Sequence, residues 1–432
     1  MTTLVEPSLA LEPRPLPGAP SWFEALQRDA WEEFRAEPYP VRTDEAWRFS
    51  GGVKALTLEN YEAADEYPGN GNPSDTDGLA QPAGRLVFAN ERLVGPPTLL
   101  PGLAEKGVRF LSFDEALRQL PDLLQQYFMA QPARLGSKKF AALHKAMVRS
   151  GSVLVMPPGL EINEPFEVLH YHYGEGAAIF PHTLVIAGPG SRATLIDRFR
   201  SVEPEQIGLA IGVNDLVVQD GAKLTYVSVQ EWGRAMVSVQ VNATVVGRDA
   251  AAINLALNLG GKYSRLESQS RMTAPGARSD MLSISVADDK QEFDQRTLQD
   301  HLQPSTTSDL LYKNALDSEA KTIFSGLIKV ERGAHRTDAY QKVRNLLLSD
   351  DAEADSMPGL EILADEVRCT HGATSGQVEP EELFYLRSRG ISEEGAKKLI
   401  VRGFLHEVLE RLQDKTVIEA LEPALERRLR AG

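Results

Sequence analysis

The 432-residue sequence contains one cysteine, Cys369. A lone thiol excludes an intrachain disulfide framework and fits a reducing compartment. Positive charge is scarce: 46 Lys and Arg stand against 61 Asp and Glu, a formal net charge of −15. A phosphate-tracking surface needs clustered Lys and Arg, and anionic membranes attract the same residues. Neither nucleic acid nor a membrane is therefore an expected partner. No run approaches the ~20 apolar residues of a membrane helix. The first 20 residues carry Glu6, Glu12 and several prolines, without a basic stretch and apolar core, so no signal peptide is expected. No Gly-x-x-x-x-Gly-Lys-Ser/Thr occurs, and Gly188-Pro189-Gly190 lacks the third glycine and following helix of a dinucleotide fingerprint. Any ATP hydrolysis belongs to a partner. What is left is a cytoplasmic protein long enough for two or three domains.

Four regions are expected. Residues 1–20 are Pro-rich and read as a flexible tail. Residues 21–150 form a mostly helical domain. Trp22, Phe23, Leu26, Trp31 and Phe34 recur at roughly helical spacing until Pro38 and Pro40 stop the helix. Further helices are expected around Asp114–Phe128 and Lys138–Arg149, with a strand from Leu86 to Ala89 turning at Asn90-Glu91 and a surface loop from Glu66 to Gly78.

Residues 151–378 switch to period two. Val237, Val239 and Val241 alternate with Ser238, Gln240 and Asn242, and Leu255, Leu257 and Leu259 with Ala256 and Asn258. Leu282, Ile284 and Val286 do the same around Ser283 and Ser285. Successive strand side chains point to opposite faces, so each segment is expected to bury one face and wet the other. Turn residues punctuate the strands, among them Asp220-Gly221, Gly247-Arg248-Asp249 and Pro275-Gly276. The pattern predicts one large β domain. Periodicity leaves a sandwich, a jelly roll and a β-solenoid open. Residues 379–432 return to period 3.6, with Pro380 in a first turn, Gly390 as a stop, Ser392 as an N-cap and a stripe from Ala396 to Val408. So small a helical domain buries little alone and is expected to dock.

At the seam stands Arg368-Cys369-Thr370-His371-Gly372-Ala373-Thr374. On an extended segment, residues i and i+2 share a face, so a thiolate and an imidazole would project together. Both are good ligands for iron or an iron–sulfur cluster, but such a cluster wants about four. Two readings stay open: a half-site completed from elsewhere, or a buried thiol and a hydrogen-bonded histidine with no ligand role. A Cys–His nucleophile is disfavoured, because neighbours on one strand face stand side by side. His170 and His172 form a second same-face pair and read as strand histidines at a sheet surface or rim. The other histidines are scattered, without zinc spacing. A β-domain enzyme acting on carbohydrate would need paired carboxylates in a groove, and no spacing singles out a pair.

The run Cys369 to Thr374, with Leu383-Phe384-Tyr385-Leu386-Arg387-Ser388-Arg389-Gly390-Ile391, resembles the SufB/SufD family of iron–sulfur cluster assembly scaffolds. So do Glu45-Ala46-Trp47-Arg48-Phe49, Val87-Phe88-Ala89-Asn90-Glu91, Phe324-Ser325-Gly326 and Thr337 to Ser349, so that the resemblance spans nearly the whole chain. SufB-like chains carry His-Glu-Ala-Thr at the seam and a cysteine before it. This chain has His371-Gly372-Ala373-Thr374 and no thiol around Val343-Arg344-Asn345, which points to the SufD branch. The resemblance implies a right-handed parallel β-helix between helical ends, pairing with a SufB-like subunit through that β-helix, and docking of a SufC-like ATPase on the C-terminal helices. It implies a non-catalytic scaffold in which His371, with Cys369 less firmly, meets a transient iron–sulfur cluster or iron at a shared interface. Reduced flavin belongs to the same implication, though no motif for it is legible. Self-pairing of the isolated chain is left open.

Overall fold

The structure, a computed structural model, describes residues 10–64 and 78–431. The expected loop from Glu66 lies outside these residues up to Asp77, as do the first nine positions. From Ser150 onward the long strands alternate between two sheets, each pairing in parallel with the strand two places away. Arg192, Lys223, Ala251, Arg278, Thr307, Asp338 and Arg368 thus share one register position, at intervals of 27 to 31 residues. The result is a β-solenoid of about eight turns with helices at both ends. Positive φ at the corners lets the chain turn so tightly. At one corner Gly276 has φ +76°, and a Cβ there would come within 1.9 Å of Asp249 Oδ1.

The alternation is real, but its polar face is not wet. Ser238, Gln240, Asn242, Asn258, Ser283 and Ser285 point into the solenoid and are buried. Their polar groups bond across the interior. Asn214 donates to Tyr226 Oη at 2.6 Å, Asn258 to Ser285 at 3.2 Å, Gln295 to Asn314 at 3.2 Å and Asn314 to Asn345 at 2.7 Å. The apolar rows face outward and are covered. Val237, Val239 and Val241 pack under an N-terminal cluster built from Leu11, Phe34, Trp47, Phe140 and Leu143. Val227, Leu255, Leu257, Leu282 and Ile284 pack under Val401, Leu405, Val408, Leu421 and Leu425 of the C-terminal helices. Helices on both flanks therefore hide what a lone sheet would have to expose.

The N-terminal helix runs Ser21–Ala36 and ends before Pro38. Leu11 and Leu16, in the stretch expected as tail, are buried. The helix expected over Asp114–Phe128 is two, Phe113–Gln119 and Pro121–Tyr127, because Pro121 cannot continue the first and starts the second. Strand Gly84–Ala89 turns back into Arg92–Leu93 as expected. Short antiparallel strands border the first coil, and Leu103, Val108 and Phe110 plug its interior. At the other end the helices Pro380–Ser388, Glu393–Glu410 and Lys415–Ala431 follow, with Ser392 capping the second by accepting from Gly395 N–H at 3.1 Å. No helix among the described residues is long and apolar enough to cross a membrane.

One buried cation bolts the N-terminal domain to the solenoid. Arg265 is fully buried, pairs with Glu267 at 2.7 Å and with Asp294, and lies 3.8 Å over the Trp47 ring. It also donates to the carbonyls of Ala46 and Leu135, both at 2.9 Å. Removing one partner of such a group leaves buried charge uncompensated. Arg265→Met is expected to lower stability by ~3–5 kcal/mol in a urea titration; a loss under ~1 kcal/mol would show that the carboxylates relax on their own.

Candidate functional site

Cys369 and His371 lie on the last strand, Arg368–Gln377, which pairs in parallel with Asp338–Leu347. Cys369 stands opposite Ala339 and His371 opposite Gln341. Followed back through the coils, the first column reads Ala339, Ser308, Ser279, Ala252, Leu224 and Ala193, all buried. The second reads Gln341, Leu310, Met281, Asn254, Tyr226 and Leu195, buried except for a partly exposed Asn254. Both candidates therefore end rows that line the interior. They are reachable because the stack stops there. Among the described residues neither Arg368–Gln377 nor the neighbouring end strand Glu353–Ile362 has a partner on its far edge. His371 is exposed, Cys369 half-buried.

Cys369 packs against Ile328, Val330, Ala334 and Ala339. Burial pushes its thiol up, and the Asp338 carboxylate pushes it further. At neutral pH the group is a thiol, and a metal would have to displace its proton. Beneath His371, Gln341 is 2% exposed, and neither its amide nitrogen nor its oxygen has a partner among the described residues. Gly326 makes room for that amide, since a Cβ there would lie 1.9 Å from Gln341 Nε2. Asp338 Oδ1 is likewise buried without a partner among the described residues, whereas Asp355 Oδ2 lies 3.0 Å from Lys321 Nζ. Farther along, Asn345 donates to Ser375 at 3.0 Å and Ser356 at 3.3 Å, carrying the polar ladder to the end face. Leu360 and Ile362, 38% and 40% exposed, put apolar surface beside it.

Two soft donors at an uncovered end do not make a metal site alone. Among the described residues no group of three or more His, Cys, Asp and Glu could hold an ion. The other histidines do not supply the missing ligands. His170 and His172 are buried inside the first coils, not at a surface or rim. His170 stacks between Phe88 and Phe199 and bonds Asp197 at 3.1 Å, while His172 bonds the Ala177 carbonyl at 2.9 Å. Both flanks of their strand are covered, so period two gave no sign of the burial. The fold also joins His144 to His182 at 3.2 Å, beside Asp215. Burial holds His144 well below the ordinary imidazole range, in a tie between the N-terminal domain and the solenoid. No sequence spacing connects positions 38 residues apart.

Fold and site together define a β-solenoid whose uncovered last coil presents an incomplete donor set. The family model described as SUF system FeS cluster assembly, SufBD core domain, matches residues 170–404, and the chain belongs to this SufBD family of iron–sulfur cluster assembly proteins. The iron–sulfur cluster assembly protein SufD of Bacillus subtilis is 28% identical over 418 residues, spanning 95% of each chain. A SufBD-family protein of Mycobacterium leprae is 32% identical over 300 residues, 67% of this chain and 75% of its own. One from Staphylococcus epidermidis is 28% identical over 317 residues, 73% of this chain and 68% of its own. The match is SufD-like, and the family is one of assembly scaffolds.

The electrostatics of the thiol are open to direct measurement. Removing the Asp338 charge lowers the Cys369 pKa, so Asp338→Asn is expected to alkylate with iodoacetamide several-fold faster than wild type at pH 8.5. Equal rates would mean that burial alone controls the thiol.

Proposed function

We propose that this chain is a non-catalytic scaffold of the cytoplasmic Suf machinery that contributes His371, and more weakly Cys369, to a nascent iron–sulfur cluster shared with a SufB-like subunit. The carrying observation is that these two donors terminate interior columns at the uncovered end of the stack. There they face the position that the next coil of a partner would occupy. Unpaired backbone groups along both end strands, the exposed Leu360 and Ile362, and the unpartnered Gln341 amide support such a partner. His371 is the stronger candidate because it is exposed. Cys369 must first lose a proton that its surroundings retain.

Docking of a SufC-like ATPase on the C-terminal helices fits the same picture. The helix Pro380–Ser388 buries no residue, and Phe384 is 75% exposed. A cavity between it and the next helix, lined by Tyr385, Leu386, Leu399, Ile400 and Phe404, offers an apolar socket. The other two helices are tied down: Lys313 donates to the Phe404 carbonyl at 2.6 Å, Arg427 pairs with Glu231 at 2.9 Å and Arg428 with Asp288 at 2.9 Å. Nucleotide-driven movement would thus enter through the first helix. Anaerobic reconstitution of the co-purified complex with His371→Ala is expected to weaken cluster retention ~10-fold or more, read by absorption and Mössbauer spectra. Undiminished cluster formation removes His371 from the mechanism, and identical spectra for the His371→Ala/Cys369→Ala pair favour a purely structural subunit.

A further inference from the structure

Gln341 lies one coil inside His371, in the same column. Both ends of its amide are sealed from solvent, so only a neighbouring side chain can satisfy them, and among the described residues none does. A buried amide in that state costs stability and calls for a reason. The column offers few partners. Leu310, its neighbour on the preceding coil, is apolar, and so are Ala339 and Val343, which share its face of the strand. His371, its register partner on the coil that follows, carries the hydrogen-bonding groups that these residues lack.

Paired side chains on these two strands do reach each other. Asn345 is four residues on from Gln341 and therefore on the same face. It accepts from Asn314 at 2.7 Å and donates to its register partner Ser375 at 3.0 Å. Gln341 stands in the ladder as Asn345 does, with a polar group on its inner side. That group is Thr297 Oγ1, which is also buried without a partner among the described residues. Both border the gap left at Gly326, where a Cβ would lie 1.9 Å from Gln341 Nε2 and 2.6 Å from Thr297 Oγ1. The amide nitrogen thus belongs to the interior, and the oxygen is left over.

We infer that Gln341 is a positioning residue for His371: its amide oxygen accepts one ring N–H while its nitrogen donates to Thr297 Oγ1. This role rests on the ligand role proposed above for His371. A neutral imidazole has one N–H and one lone pair. An acceptor at the first nitrogen keeps the proton there and presents the second to a metal, and such outer partners commonly contribute about 10–100-fold in affinity. In the isolated chain the bond is open. It closes when an opposing surface and its iron turn the imidazole over the amide.

Gln341→Met is close in size and removes both unmet polar atoms. Its urea midpoint in the full chain should equal or exceed that of wild type. In the co-purified complex, reconstituted anaerobically, the same variant should retain the cluster about tenfold less well. The nitrogen hyperfine coupling of the reduced cluster, which reports histidine ligation, should shift as well. In a His371→Ala background Gln341→Met should change nothing further. If His371→Ala weakens the cluster while Gln341→Met leaves retention and coupling as in wild type, the positioning role is overturned and the ligand role stands. A silent His371→Ala removes both. A loss from Gln341→Met that persists in the His371→Ala background also overturns the positioning role. So do midpoints clearly below wild type for both Gln341→Met and Gln341→Leu, since they would make the amide a structural element.

Discussion

A parallel β stack satisfies each coil's backbone with the next coil, so the stack is only as complete as its two ends. In this chain the ends are treated differently. The first coil is bordered by strands of two to four residues and plugged by Leu103, Val108 and Phe110. The last coil stops, with two ten-residue strands bare on one edge among the described residues. Proteins usually shorten, charge or cover such edges, because a long unpaired edge recruits another chain. The C-terminal helices could have covered this one, yet they pack on the flank of the stack, over Val227, Leu255 and Ile284. The bare edge and the flank-bound helices follow from one allocation of apolar surface.

The interior explains why the open end suits chemistry. A purely aliphatic solenoid would finish in a greasy face fit only for burial. Here Asn258, Ser285, Gln295, Asn314 and Asn345 carry hydrogen bonds from coil to coil. Satisfied polar ladders cost little, whereas an unsatisfied buried amide costs roughly 1–3 kcal/mol. At the end of the column beneath His371, neither atom of the buried Gln341 amide has a partner among the described residues. A second surface that paired with this amide would recover the loss.

Much of this was legible before any coordinates. Period two located the strands and placed Cys369 and His371 on one row, because side-chain parity in a strand is a local property. Pro38, Pro121, Gly390 and Ser392 mark helix limits for equally local reasons, although Pro121 was not used to split the helix it divides. The solenoid itself rested on resemblance, since intervals of 27 to 31 residues with different side chains in each column leave no readable repeat. Which row faces inward was misjudged. Serine and asparagine look like a wet face unless one knows that helices roof the opposite one, and that is tertiary information. The His144–His182 tie and the Arg265 bolt were invisible for the same reason: their partners come from distant segments.

On the proposed reading, strand spacing also bears on what the donor pair can hold. Residues i and i+2 of a strand are ~6.6 Å apart at their Cα atoms. Two ligand atoms on one tetrahedral ion, at bonds of ~2.0–2.3 Å, lie only about 3.5 Å from each other. For Cys369 and His371 to share a single ion, both side chains must lean together on a rigid ladder. Standing upright, they match neighbouring irons of a cluster better than one iron. The exposed imidazole can engage first, while the thiol, shielded by Ala339 and kept protonated beside Asp338, joins only when a positive centre has already arrived to replace its proton. A half-site ordered in this way binds metal weakly until the opposing surface is in place, which is what keeps a scaffold from retaining the cluster it helps to build.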